Sequence, residues 1–172
     1  FKIIKGTDFR DTLSKEYNIP FFIGYISAKD LVTHYTIPKF KPEKGDTGYQ
    51  RPPERKRIGR FAKKIATSKV DFPTLVLLNV RDNTLLNHHK ANSLNYIPEL
   101  HGNLYVMDGQ HRVLALEAAM EIAAETGDDK KLDELQKIQI PFGLTITESI
   151  LNEMVIFYDV NSNAKGVPAN VK

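Results

Sequence analysis

Apolar residues along the chain fall into short continuous runs and into helical stripes. Phe21–Ile26 (FFIGYI) is aromatic and β-branched, follows Pro20, and predicts a buried strand. Thr74–Val80 (TLVLLNV) predicts a second strand, Leu104–Met107 (LYVM) a short third, and Ile138–Ile146, around Pro141, a fourth. Between these runs the period changes to that of a helix. Ser27 suits the cap of a short helix from Ala28 to about His34, with Leu31 and Val32 inward. Over Glu54–Thr67, Ile58, Phe61, Ala62 and Ile65 fall at i, i+3, i+4 and i+7, one apolar stripe, and Pro52 and Pro53 suit its start. Val113 to about Glu125 predicts a helix with Leu116, Met120 and Ala123 on one face. Glu117, Glu121 and Glu125 form an acidic solvent face of that helix, and Gly127 stops it. Lys130–Lys137 predicts a short helix, and Thr147 the cap of a last one through Tyr158. Pro38–Pro53 and Asp82–Leu100 carry no apolar period and predict loops, with a turn at His101-Gly102-Asn103.

Strands and helices alternate without a regular βαβ repeat. The expected fold class is therefore α+β, a compact mixed small sheet with flanking helices, built as a single domain over 172 residues. A hydrophobic fraction of 41% at this length is enough for one core. The absence of cysteine excludes disulfides, a thiolate zinc site and cysteine chemistry. No apolar run approaches the ~20 residues of a membrane span, so no membrane partner is expected. The chain begins at Phe1 rather than Met, and Val167–Lys172 does not resemble a natural end, so a piece of a longer chain is expected. Phe1–Asp11 mixes Lys2, Lys5 and Arg10 with apolar residues and does not look like a signal peptide; a cytoplasmic protein is expected.

Charge changes this picture. The net charge is only +3, from 24 basic and 21 acidic residues. Between Arg51 and Lys64, however, Arg51, Arg55, Lys56, Arg57, Arg60, Lys63 and Lys64 face Glu54 alone, a local +6 that leaves −3 for the rest. Such concentration points to a local anionic partner. At about 100° per residue, Lys56, Arg60, Lys63 and Lys64 lie opposite the apolar stripe, and Arg55 falls near its edge, within reach of a pocket. The outward face and a pocket near Arg51 are two candidate anion sites.

The residues richest in chemistry are Asp108-Gly109-Gln110-His111-Arg112, between a predicted strand and a predicted helix. Gly109 permits positive φ or close backbone approach. A helix start offers free N–H groups to an anion. Arg112 supplies a planar fork of donors, and His111 can donate to phosphate or move a proton near neutral pH. Asp108 can cap the helix, hold His111 or Arg112, or ligate Mg²⁺, and Gln110 can hydrogen-bond a base or ribose. The plain alternative is an Asp-Gly turn that caps a helix and binds nothing.

This stretch, MDGQHRVLAL, resembles the DGQHR signature of the family named for that pentapeptide, whose members include the DndB proteins of DNA phosphorothioate (sulfur) modification. More widely it resembles the turn after a strand in ParB/sulfiredoxin-like folds. Gly48-Tyr49-Gln50-Arg51 and the helix after it resemble the YQR segment of ParB-like proteins, Phe72-Pro73-Thr74 their next segment, and Phe157–Asn163 (FYDVNSN) the F-x-D-x-N stretch of DGQHR proteins. The resemblance spans roughly Phe21 to Lys172. It implies a ParB/sulfiredoxin-like fold with a nucleotide- or phosphate-binding turn, in which Gly109, Gln110, His111 and Arg112 meet the ligand with Arg51 and Asn161. It further implies a DNA-binding regulator of a modification operon, with Arg55, Lys56, Arg60, Lys63 and Lys64 on the DNA backbone. The implied partners are duplex DNA, a nucleotide, other proteins of the modification system and further copies of the chain. Sulfiredoxins carry their catalytic cysteine in this turn; Gln110 stands there instead, which excludes that chemistry. The GERRxRA box of chromosome-partitioning ParB is not present.

A second reading is an enzyme, a nucleotide triphosphatase or nuclease with Asp108 and His111 as catalytic groups, Arg112 as phosphate clamp, and a nucleoside triphosphate with Mg²⁺ as cofactor. His88, His89 and His101 lack metal-ligand spacing and read as solvated loop, so no protein metal site is expected. Asp159, Asn161 and Asn163 can cap a helix or close a turn. Tyr49 can stack on a base or be buried. No Walker-type loop is present.

Overall fold

The structure is a computed structural model that describes residues 3–4, 21–39, 48–67, 75–82 and 103–162. Phe21–Ser27 forms strand β2, after a two-residue β1 at Ile3–Ile4. Ser27 then caps helix α1 (Ala28–His34), its hydroxyl accepting from the Asp30 N–H at 3.0 Å. Strand β3 (Tyr35–Thr36), helix α2 (Arg55–Thr67), strand β4 (Val76–Val80) and strand β5 (Leu104–Asp108) follow. Helices α3 (Gln110–Glu125) and α4 (Asp129–Gln136), strand β6 (Gln139–Ile146) and helix α5 (Ile150–Ser162) complete the order.

The described strands make one mixed sheet in the order β1-β2-β6-β4-β5-β3. The pairs β2–β6 and β4–β5 are antiparallel, while β4–β6 and β3–β5 are parallel. This is the α+β class expected from the sequence. Alternation along the central strands sorts the side chains by face. Ile140, Phe142, Leu144 and Ile146 of β6 join Val76, Leu78 and Val80 of β4 in the apolar core, with Ile26, Leu31, Leu104, Leu116 and Leu135. The intervening Asn79 and Thr145, aligned in register, belong to the other face.

Helix α3 runs through this core and buries Val113, Ala115, Leu116, Ala119, Met120 and Ala123. Three of those six are alanines, and a short side chain lets a neighbouring helix approach closely. Helix α2 packs against α3 through its own Ala62 and Ile65, with Ile58 and Phe61 half-buried beside them. The stripe expected for α2 is therefore its core face, and the packing fixes the basic helix alongside α3.

Four sequence expectations change. Helix α3 begins at Gln110 rather than Val113, so the polar residues after Gly109 occupy its first turn. The start of α5 is capped by Ser149, whose hydroxyl accepts from the Asn152 N–H at 3.3 Å; Thr147 instead accepts from the Ser149 N–H. Helix α5 also runs on to Ser162, which places Asp159 and Asn161 inside it. Finally, Glu117 is half-buried and accepts the Tyr35 hydroxyl at 2.6 Å, so the acidic stripe of α3 is not all solvent face. Among the described residues no helix is long and apolar enough to cross a membrane.

Below the polar face of β4 lies a buried carboxylate, Glu153 of α5. It accepts from Asn79 Nδ2 at 2.9 Å, from Arg81 Nε at 2.9 Å and Nη2 at 3.1 Å, and from the Tyr49 hydroxyl at 2.7 Å. Asn79 is held in turn by the Thr145 hydroxyl, the Thr147 N–H and the Thr147 carbonyl. Arg81 also lies 3.8 Å over the Tyr105 ring, a cation–π contact. Burial works against the Arg81 charge, and Glu153 more than offsets it. Burial and the Glu153 carboxylate together push the Tyr49 phenol well above its usual range. Replacing Glu153 by Ala leaves a guanidinium and two buried donors without their acceptor. The expected loss is about 3 kcal/mol, the low end for a broken buried pair because Arg81 keeps some solvent. Urea denaturation measures it, and a loss under about 1 kcal/mol would show that the network carries little.

Candidate functional site

Strand β5 ends in an irregularity. Leu77 pairs with Asp108 but Leu78 with Val106, so Met107 is left over between the pairs as a bulge. A regular strand sends successive carbonyls in opposite directions. Here the carbonyls of Val106 and Met107 both accept from one group, the Gln50 side-chain amide, the second at 3.2 Å. Gln50 is fully buried. Its own backbone is fixed because the Tyr49 and Gln50 N–H groups both donate to the Pro38 carbonyl at 3.0 Å. Gly48 permits that approach, since a Cβ there would fall on the Lys39 carbonyl. The Tyr49 ring packs 5.0 Å from Phe157 of α5 and its hydroxyl is held by Glu153. Tyr49 is thus the buried aromatic of the two alternatives, and no free platform for a base.

After the bulge the chain turns at Gly109, with φ at 95°. That left-handed conformation makes glycine the fitting residue, and an added Cβ would also meet the Arg112 guanidinium at 2.9 Å. Gly109 is the N-cap of α3 and offers no side-chain cap. Asp108 does not cap the helix; it accepts from Arg112 Nη2 at 3.1 Å. His111 Nε2 accepts the Glu54 backbone N–H at 3.2 Å, which ties the turn to the start of α2. That bond requires an unprotonated Nε2. Burial first, and then the Arg57 charge, lower the His111 pKa against weaker pulls from Glu54 and Asp108. Burial likewise lowers the Arg112 pKa, with Asp108 opposing and Arg57 adding to it.

The turn, α2 and the last turn of α5 enclose a cleft of about 900 Å³. Asp108, Gly109, Gln110, His111, Arg112, Arg51 and Asn161 all line it, so the residues named from the sequence for one pocket do come together. Asn161 donates to the Phe157 carbonyl at 2.7 Å. The basic helix is divided differently from expectation. Arg57, Arg60 and Lys64 line the cleft, at i, i+3 and i+7, so Arg60 and Lys64 do not simply point away from it. Arg55, Lys56 and Lys63 are exposed and are not among the lining residues. Five cationic side chains, Arg51, Arg57, Arg60, Lys64 and Arg112, therefore surround the cleft against the single carboxylate of Asp108. The two anion sites expected from the sequence share one helix and overlap.

In the sequence Arg57 counts only toward the local charge; its spacing with Arg60 and Lys64, at i, i+3 and i+7, is the signal for its place on the flank that lines the cleft. Glu153, Asn79 and Arg81 carried no signal, because their partners are remote in sequence. His88, His89, His101 and Asn163 lie outside the described residues, as does Phe72-Pro73-Thr74. Among the described residues no three His, Asp or Glu side chains group around a point that would hold a metal ion.

Taken together these features define an α+β domain with a cationic cleft where a bulged strand turns into a helix. Residues 18–170 match the DndB family, DNA-sulfur modification-associated, and the chain belongs to that family. No curated protein and no solved structure matches the chain.

Two outcomes follow from the turn. Gly109→Ala is expected to cost about 1–2 kcal/mol from the left-handed backbone alone, read as a lower denaturation midpoint. For His111, an unfolded chain titrates near 6.5. The folded value is lower, so the contribution of neutral His111 is whole above about pH 6.5 and is lost as pH falls toward the folded pKa. His111→Gln is expected to flatten that acid-side fall in thermal midpoint; parallel curves for the two proteins would rule it out.

Proposed function

We propose that this protein is a regulator within a DNA sulfur-modification system that binds a nucleotide phosphate in the cleft at the DGQHR turn and duplex DNA on the exposed basic face of α2. The observation that carries this reading is the cleft itself, five cations against one carboxylate around a helix N-terminus, in a member of a DNA-sulfur modification family. The resemblance of the turn to the nucleotide-binding turn of ParB/sulfiredoxin-like proteins supports the same ligand. The exposed Arg55, Lys56 and Lys63, with Arg60 at the border of the cleft, supply a cationic surface of the kind that displaces phosphate counterions. The fit to a nucleoside triphosphate rests on the donor set: guanidinium forks and free N–H groups suit phosphate oxygens. Mg²⁺, where it accompanies the triphosphate, would be held chiefly by the phosphates, since the one carboxylate lining the cleft, Asp108, is paired with Arg112 and would join only by giving up that bond; the ion would supply charge neutralisation.

The hydrolytic reading gains less support. Both groups it needs are already engaged, Asp108 by Arg112 and His111 Nε2 by the Glu54 N–H. Binding rather than turnover is the function this arrangement favours.

Fluorescence anisotropy with a labelled promoter duplex and, separately, a labelled nucleoside triphosphate tests both halves. Lys56→Glu with Lys63→Glu is expected to weaken duplex binding, to flatten its log–log salt dependence by about 2, and to leave the nucleotide unaffected. Arg57→Ala is expected to weaken the nucleotide at least about tenfold. Unchanged duplex affinity in the first variant removes α2 as the DNA contact, and unchanged nucleotide affinity in the second removes the cleft as its site.

A further inference from the structure

Helix α5 turns its polar side inward and its apolar side outward. Glu153 is its one buried residue, and it faces the polar side of the sheet. At about 100° per residue, Leu151, Met154, Val155 and Tyr158 fall at i, i+3, i+4 and i+7. They form a stripe roughly 150° around the helix from Glu153. A stripe of this kind usually packs on a core. Here Leu151 is 72% exposed, Tyr158 69% and Met154 39%, with Val155 half-buried. Scattered apolar residues at a surface need no explanation, but an ordered stripe along one helix marks a contact surface.

The composition of α5 narrows the occupant. The helix contains no Lys, Arg or His, so it offers nothing to an acidic partner or an anionic membrane surface. The stripe contains no charge, so nothing in it selects a basic peptide. It does match itself reversed. About a two-fold axis between positions 154 and 155, an antiparallel copy sets Leu151 against the partner's Tyr158 and Met154 against the partner's Val155. Each apolar side chain then meets another. Asn152 and Asp159 flank the stripe on one side, about 100° from its middle. The same axis brings the Asp159 carboxylate beside the partner's Asn152, an amide donor in the first turn of a helix, where negative charge is favoured. In its own helix Asp159 lies toward the C-terminal end, where the dipole disfavours it.

We propose that this protein forms an antiparallel two-fold dimer through the α5 stripe. A standard interface uses about 20–30 residues a side, and one helix face supplies far fewer, so the dimer is weak and depends on concentration. Phe157 and Asn161 of the same helix line the cleft. Pairing through α5 therefore holds two clefts, each with its basic helix, in a two-fold relation, the arrangement that two-fold related DNA half-sites match. That use rests on the DNA reading above; the pairing does not.

The chain has no cysteine, so introduced cysteines report the pairing directly, with no DNA or nucleotide present. Met154→Cys, beside the axis, is expected to form a disulfide-linked dimer on mild oxidation. Val160→Cys, exposed on the far side of α5, is expected to stay monomeric. Leu151→Cys and Tyr158→Cys are each expected to stay monomeric alone and to cross-link when mixed, because the antiparallel register sets one against the other. Sedimentation of the wild-type protein across the micromolar range is expected to show a reversible monomer–dimer equilibrium. Leu151→Glu with Tyr158→Glu is expected to remain monomeric with an unchanged thermal midpoint. Monomer at every concentration, with Met154→Cys no more cross-linked than Val160→Cys, overturns the proposal. A dimer that persists in the double glutamate variant uses another surface and overturns it as well. Stronger self-cross-linking of Leu151→Cys than of Met154→Cys shows a parallel pair and overturns the antiparallel one.

Discussion

A carboxylate buried away from water needs its lone pairs taken, and Glu153 meets that condition through four donor atoms of three residues from two parts of the chain. Asn79 comes from β4, Arg81 from just beyond it, and Tyr49 from the segment before α2. Desolvating such a group costs several kcal/mol, so the arrangement persists only if all the partners arrive together. That condition makes Glu153 a constraint on position as much as a source of stability. It holds α5 against the polar face of the sheet and fixes Tyr49. Because Gln50 is the next residue, Tyr49 also sets where the buried amide meets β5.

From there the constraint passes to the cleft through main-chain geometry. The bulge at Met107 turns two neighbouring carbonyls to the same side, and Gln50 is the group that satisfies them. The bulge re-aims the end of β5, Gly109 takes the left-handed conformation, and the polar residues fall on the first turn of α3. Close packing of α2 on α3 through small residues brings Arg57, Arg60 and Lys64 to the same place. The bond from the Glu54 N–H to His111 then joins the start of one helix to the start of the other.

The local parts of this chain were legible because local rules govern them. The strand at Phe21–Ile26, which runs one residue further to Ser27, the Ser27 cap, the stripe of α2 and the stop at Gly127 each follow from period or cap chemistry, and the structure keeps them. Boundaries moved where two nearby residues offered the same chemistry, as with Thr147 and Ser149 before α5. The candidate site was legible as a set of residues but not as a shape. A charge run read by itself divides a helix into an apolar face and its opposite. A packed helix has flanks as well, and the flank of α2 that meets the turn contains Arg57, Arg60 and Lys64. The Glu153 network was invisible for a different reason: Tyr49 and Glu153 are 104 positions apart, and no periodicity spans that distance.

The electrostatics of the cleft complete the argument. His111 and Arg112 both have lowered pKa values, with burial the first cause in each; the Arg57 charge adds to it, against Glu54 and Asp108 at His111 and against the larger pull of Asp108 at Arg112. Positive charge is in excess here because five cationic side chains line the cleft against one carboxylate. An anion entering there relieves the excess for every group at once. It strengthens the hold of Arg57 and Arg112 and raises the His111 pKa. Linkage then requires the reverse effect with the same sign: whatever protonates His111 also favours the anion. Protonation, however, removes the lone pair that accepts the Glu54 N–H, so the charge gained in the cleft is set against the contact that joins α2 to the turn. The neutral imidazole keeps the two helix starts together, while five cationic side chains line the cleft beside it.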